Sequence, residues 1–296
     1  MSRRVVIHAD DLGMSHGANA AFAELWAVGT VTSGSVMVPC PWFPELAAMA
    51  RADATMDLGV HLTLTSEARG YRWRPLTRPA ASAGLTDGDG YFHPDVPTLR
   101  ARADRAAVEA ELRAQVEVAL AAGIDLTHLD DHMGAVLAPE FADIYAHLAA
   151  DYGLPPLFCA SLSAYGGQHN MAGISADSFA PGVAAARALG FEIFDRIVET
   201  GWTPAFDPAA YRAVFAGLEP GLTFLAFHFT RPGEIEAIDP RFHHIRTGEY
   251  DLFRSPGFAG WLKAQDITPI GLRGLRDGWR AHHSRGKTAW TVSASA

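Results

Sequence analysis

The sequence predicts an α/β chain folded as a TIM-like (β/α) barrel, either regular or distorted and incomplete. Three observations lead there. Short β-branched or apolar runs alternate with Ala-rich segments of helical spacing, the signature of parallel strands joined by crossover helices. Carboxylates and imidazoles collect at the ends of four of these runs, and in a parallel barrel such ends converge on one face. The first strand-to-helix turn, Asp10 to Gly17, lacks the glycine fingerprint of dinucleotide binding, and no P-loop is present, which argues against an open doubly wound sheet.

The elements follow in order. Val5–Ile7 reads as a strand, and Phe22, Leu25 and Trp26 place a helix over 18–28, with Gly29 where a left-handed cap belongs. Strands are predicted at 31–38 and 58–64. Residues 66–100, rich in Gly, Pro, Arg and aromatics, read as a long loop or insertion, a length usually associated with lids or binding segments. Val108, Leu112, Val116 and Leu120 define a helix that Gly123 ends, with Glu109, Arg113 and Glu117 as a separate charged row. A strand at 126–129, a helix at 139–152 and a strand around 157–159 come next. Residues 161–182 read as loop. Helices are predicted around 183–189 and 208–218, with strands near 191–194, at 222–227 and at 267–272. A single domain would span 1–280, and the polar, small-residue stretch 281–296 reads as a disordered tail.

Composition bounds the function. A chain of 296 residues, 49% hydrophobic, buries enough apolar surface to fold without a disulfide or metal staple. Its two cysteines, Cys40 and Cys159, fit a reducing compartment. A net charge of −9 without a basic stripe argues against nucleic acid or an anionic membrane as partner. No apolar run approaches the roughly 20 residues needed to span a bilayer, and the first residues do not read as a signal peptide. A cytoplasmic protein is the expectation, with homo-oligomerisation left open.

The chemistry gathers in His8-Ala9-Asp10-Asp11, in His61 within Gly59-Val60-His61-Leu62, in His128-Leu129-Asp130-Asp131-His132, and in His228 after the strand at 222–227. Singly, each has a structural alternative: an Asp-Asp pair before Gly caps a helix, and a lone His in an apolar strand is a hydrogen-bonded core residue. Together, so many ionisable groups at strand ends are costly unless they are paired, metal-bound or used. Imidazole and carboxylate suit Zn, Fe, Ni or Mn, and two His with one carboxylate leave positions open for water and substrate. Cys40 between two prolines reads as a packing residue rather than a nucleophile. An activated water is then the economical nucleophile.

These motifs, with Gly29-Thr30-Val31-Thr32-Ser33-Gly34-Ser35-Val36 between them, resemble the YdjC-like carbohydrate deacetylases, in order over most of residues 4–275. The resemblance implies a (β/α) barrel variant and metal-dependent removal of acetyl groups from N-acetylated sugars, with Zn or Mg as the divalent ion and a small carbohydrate as partner. By position it makes Asp11, His61 and His132 the metal ligands, Asp10 the base acting on a metal-activated water, and His228 the acid. The family's acid is usually followed by Pro, here displaced to Pro232. Where many members have a run of histidines after Asp-x-His, this chain has Met133, Gly134, Ala135 and Val136, and Asp131 stands where Ser is common. Tyr71, Arg72, Trp73 and Arg246 are the substrate-binding candidates, with Tyr91 and Phe92 as further stacking aromatics. His243 and His244 are alternatives for the acid. The rival readings are hydrolysis of another amide or a phosphoester, supported by the arginines between 69 and 78, and a non-catalytic metal- or sugar-binding protein.

Overall fold

The computed structural model describes residues 2–291. Its seven strands are β1 (Arg3–Leu12), β2 (Ser33–Val36), β3 (Leu58–Leu62), β4 (Leu126–Asp131), β5 (Arg196–Glu199), β6 (Gly221–Phe227) and β7 (Thr268–Pro269). All are parallel, in the spatial order β4-β3-β2-β1-β6-β5. β7 pairs with the first half of β1, at Arg4 and Val5, while β2 pairs with its second half from His8 onward. Every strand connection runs through at least one helix or helical turn, as parallel pairing requires.

No ladder joins β4 to β5. The gap is spanned by segment 155–160. Leu129 N donates to Pro155 O at 3.0 Å, Ala160 N to Phe194 O at 2.8 Å, and Phe194 N to Phe158 O at 2.9 Å. Tyr145, on the helix Ala142–Tyr152, fastens this seam: its hydroxyl donates to Leu129 O at 2.7 Å and accepts from Leu157 N at 2.8 Å. The α/β class therefore holds, in the distorted form, with single bridges replacing a strand. The strand expected at 157–159 is this seam. The one expected at 191–194 is displaced to β5, leaving Phe194 as a bridge partner of Cys159.

Local chemistry explains the element boundaries. Ser15 caps the helix His16–Val28 by accepting from Ala18 N, and Gly29 closes it at φ 79°. In the helix Arg105–Ala121, Val108, Leu112 and Val116 are buried, but Leu120 is 43% exposed and Ala119 takes its place. Steps of four residues overshoot a full turn by about 40°, so the third step has left the buried stripe. The helices Phe43–Ala52, Val96–Arg102 and Pro256–Lys263 each carry Pro in the first turn. A proline there costs no hydrogen bond, yet in sequence it reads as a breaker. The expected loop at 161–182 gives way to a helix, Ala176–Ala188, started by a Ser175–Ser178 capping box. The last helix runs Arg273–Thr291, so the expected tail is helical through Thr291, and 292–296 lie outside the described residues. Trp279 ties it down by stacking on Phe191 at 4.9 Å and donating to Leu189 O.

Among the described residues no helix is long and apolar enough to cross a membrane.

Candidate active site

Strand alternation puts His8 and Asp10 on one face of β1 and would send Asp11 to the other. Asp11 breaks the alternation with φ 60°, and the β1–β2 register shifts between Ala9 and Leu12. The result is that both carboxylates enter one cavity. His61 enters from β3, Asp130 from β4, His132 from the turn after it, and His228 from the end of β6. Gly59 makes room below: a Cβ there would stand 2.5 Å from the His128 ring. His128 itself lies beneath the cavity, fully buried, its Nδ1 hydrogen-bonded to Thr127 Oγ1 at 2.9 Å.

Asp11, His61 and His132 present one ligand atom each, all within 4.8 Å of one another. Asp11 Oδ1 lies 3.4 Å from His61 Nε2 and 3.3 Å from His132 Nδ1, yet it is buried without a hydrogen-bond partner. Each group is held by the next shell. His61 Nδ1 is 2.7 Å from Asp130 Oδ2, which also accepts from Ser35 Oγ at 2.6 Å. His132 Nε2 is 2.9 Å from Glu67 Oε1, and Arg246 Nη1 donates to Asp11 Oδ2 at 2.7 Å. Burial alone would raise the Asp11 carboxyl, but Arg246 and the two imidazoles outweigh it and hold the group well below the ordinary range. Burial lowers His132, but Glu67 and Asp11 more than offset this and push it up to about 9.

Asp10 and His228 face the same cavity without touching: His228 Nε2 is 3.8 Å from Asp10 Oδ2. Burial, reinforced by Asp130, holds the Asp10 carboxyl well above its ordinary value. Burial lowers His228 to about 3, so it is neutral at physiological pH. Asp10 Oδ1 is buried and unpartnered.

The cavity is about 760 Å³ and mostly apolar on its outer wall, where Trp202, Phe242, Tyr165, Met133 and Ile238 stand. Trp202 is the central aromatic, 4.7 Å from the His228 ring, 5.4 Å from Phe242 and 5.3 Å beneath the Arg246 guanidinium. Glu199, at the end of β5, accepts from Trp202 Nε1 at 3.1 Å. Neither residue stands out in sequence. The only signal is their position at a strand end, and the strand itself is displaced from its expected place.

The structure treats the four substrate-binding candidates differently. Trp73 and Arg246 line the cavity, Trp73 with its indole N–H donated to Thr65 O. Tyr71 and Arg72 do not. The Tyr71 hydroxyl donates to Met14 O at 2.6 Å, and Arg72 pairs with Asp87 at 2.7 Å and donates to Phe92 O. Tyr71 thus ties the 66–100 segment to the turn after β1, and Arg72 holds the segment to itself, as do Phe92, fully buried, and Tyr91, covered by the guanidinium groups of Arg72 and Arg74. Asp131 closes the turn after β4: its Oδ1 accepts from Val136 N at 3.0 Å, and burial pushes its carboxyl up to about 8. His243 and His244 start the helix His243–Arg254 and do not line the cavity.

Fold and site together define an α/β protein with a parallel seven-stranded sheet and a buried Asp/His cluster at the C-terminal ends of its strands. The family model described as YdjC-like protein matches residues 4–264, and the chain belongs to that family. A carbohydrate deacetylase of Thermus thermophilus is 43% identical over 164 residues, 55% of this chain and 56% of the relative. One of Listeria welshimeri is 29% identical over 230 residues, 73% of this chain and 87% of the relative. The chain spans little more than half the length of the first three relatives it matches, 56% to 58%. A crystal structure from Enterococcus faecalis, described as a candidate cellobiose-phosphate cleavage protein, shares the fold, with a TM-score of 0.75 at 19% identity over 93% of this chain and 99% of that one.

Proposed function

We propose that the chain is a metal-dependent hydrolase removing the acetyl group from an N-acetylated sugar or glycoconjugate. The observation that carries this reading is Asp11 Oδ1, buried and unpartnered between two imidazole nitrogens, with a free carboxylate and a neutral histidine across the same cavity. One carboxylate and two imidazoles are a donor set for a divalent cation such as Zn, with positions left open. His61 fits that use, because Asp130 holds the proton on Nδ1 and leaves the Nε2 lone pair facing Asp11. A cation bound there would supply Lewis acidity to the amide carbonyl and to the attacking water.

The chain's own groups divide the remaining work. Asp10 takes the proton of the attacking water, and its raised affinity for a proton suits a base that must keep one through the addition step. His228, neutral and with Nε2 toward Asp10 across the gap, takes up that proton and delivers it to the departing amine nitrogen as the C–N bond breaks. Arg246 pins Asp11 Oδ2 so that Oδ1 stays aimed inward. Trp202, Phe242 and Tyr165 offer ring faces to a sugar and exclude water around the reacting amide. Of the arginines between 69 and 78, Arg69 alone lines the cavity, which removes most of the support for a phosphoester substrate.

The test is acetate release from a panel of N-acetylated mono- and disaccharides and glycoconjugates, by protein stripped of metal and reloaded with Zn, Mg, Mn, Co or Ni. Metal-dependent release is expected. Tight stoichiometric metal with no release from any acetylated substrate would turn the reading to another bond.

A further inference from the structure

Behind His228, away from the cavity, lies a closed chain of hydrogen bonds made by residues with no part in the metal cluster. Thr200 Oγ1 is 3.0 Å from His228 Nδ1 and donates to Glu249 Oε1 at 2.6 Å. Glu249 Oε1 also accepts from the Tyr211 hydroxyl at 2.8 Å, and its Oε2 accepts from the backbone N–H of His228 at 2.7 Å. Glu249 is fully buried and reaches in from the helix His243–Arg254, on which Arg246 lies one turn earlier. A carboxylate buried beside β6 is costly unless it is used. Here three donors satisfy it, and two of them control the histidine.

The proton count along this chain is fixed. Thr200 has one hydroxyl proton, and its possible acceptors besides His228 are Glu249 at 2.6 Å and Ala226 O at 3.3 Å. With Glu249 ionised, only the Thr200 hydroxyl can supply the hydrogen of their 2.6 Å contact, which spends its proton, so the hydroxyl oxygen accepts from His228 and Nδ1 carries the ring proton. The Nε2 lone pair then faces Asp10 and the cavity. We propose that Glu249, acting through Thr200, is the positioning residue that sets the tautomer of His228, so that its cavity-facing Nε2 is the atom that gains and gives up the catalytic proton. This rests on the deacetylase reading for the role of His228, but the tautomer itself does not.

Glu249→Gln makes the inference sharp. To keep accepting from the His228 backbone N–H, the new amide must turn its NH2 toward Thr200 and Tyr211. The Thr200 hydroxyl then becomes an acceptor and gives its proton to His228 Nδ1, which inverts the tautomer. Long-range 15N–1H correlation of the full chain labelled at histidine, in mildly alkaline buffer, reads this directly, with His228 assigned by its loss in His228→Asn. The medium should lie above the value of about 7 to which burial pushes Glu249. The wild type should carry the proton on Nδ1, as should Thr200→Ser. Glu249→Gln should carry it on Nε2, and Thr200→Val should lose the preference. In turnover, Glu249→Gln and Thr200→Val should lower kcat by about 100-fold, the low end of what a positioned acid supplies, with KM little changed, while Thr200→Ser restores kcat. A wild-type proton on Nε2, or a Thr200→Val variant with unaltered tautomer and kcat, overturns the proposal. Absence of acetate release from every substrate would refute the deacetylase reading alone, because the NMR measurement needs no turnover.

Discussion

Replacing Asp130 by Asn should loosen the metal site without touching a ligand. Its Oδ2 is 2.7 Å from His61 Nδ1 and 2.6 Å from Ser35 Oγ, and its Oδ1 accepts from the Asp131 backbone N–H at 2.8 Å. Both oxygens accept, and an amide offers only one acceptor. With the amide oxygen toward His61, the new NH2 faces the Asp131 N–H, leaving a buried donor unmet at a cost of about 1–3 kcal/mol. With the NH2 toward His61, the imidazole must move its proton to Nε2, which then cannot bind a cation. Either arrangement should weaken divalent-cation binding by about 10- to 100-fold, or about 1.4–2.8 kcal/mol. Calorimetric titration of the metal-free protein with Zn²⁺ measures this, with circular dichroism confirming that the variant is folded. Unchanged affinity in a folded Asp130→Asn protein would refute the claim that Asp130 orients His61 for a metal.

Three other outcomes follow from the same structure. Tyr145→Phe removes the hydroxyl that ties Leu129 to Leu157 across the open edge of the sheet, and should cost about 1–3 kcal/mol in urea unfolding. Arg246→Met leaves Asp11 and Asp239 without their buried partner. Breaking such a pair costs about 3–5 kcal/mol, and thermal unfolding should show a smaller loss with Zn²⁺ present, which supplies Asp11 with a counter-charge. Burial pushes the Glu249 carboxyl from 4.5 to about 7 despite its three donors. The folded state thus binds this proton more tightly than the unfolded chain. The contribution is full below the ordinary glutamate value and is lost as pH rises through about 7, an effect of about 3 kcal/mol. Glu249→Gln should flatten the melting temperature against pH across that window.

Much of the site was legible in the sequence because its carboxylates and imidazoles sit at strand ends, where an apolar run gives way abruptly to charge. His8-Ala9-Asp10-Asp11 and His128-Leu129-Asp130-Asp131-His132 needed only that contrast. What the strand pattern does not encode is the positive φ at Asp11, which decides that two adjacent carboxylates share one cavity. The cavity wall was not legible. Glu199 ends, and Trp202 follows, a strand whose four residues, Arg196–Glu199, carry no clear alternation, and their neighbours are set by tertiary contact. Tyr71 and Arg72 are sugar-binding candidates by type, but such side chains also hold long loops in place: Tyr71 ties this loop to Met14 O after β1, and Arg72 ties it to its own Phe92 O. In the fold, the helices Phe43–Ala52, Val96–Arg102 and Pro256–Lys263 were not legible, because proline in the first turn reads as a break, and the apolar run at 157–159 reads as a strand although it makes only single bridges.

The central claim is that Asp11, His61 and His132 bind the cation while Asp10 stays free to move a proton. Metal content and acetate release measured side by side in Asp10→Asn test it most directly. The account predicts about one equivalent of bound metal, as in the wild type, with acetate release abolished. Loss of the metal in Asp10→Asn, or undiminished release, would contradict it.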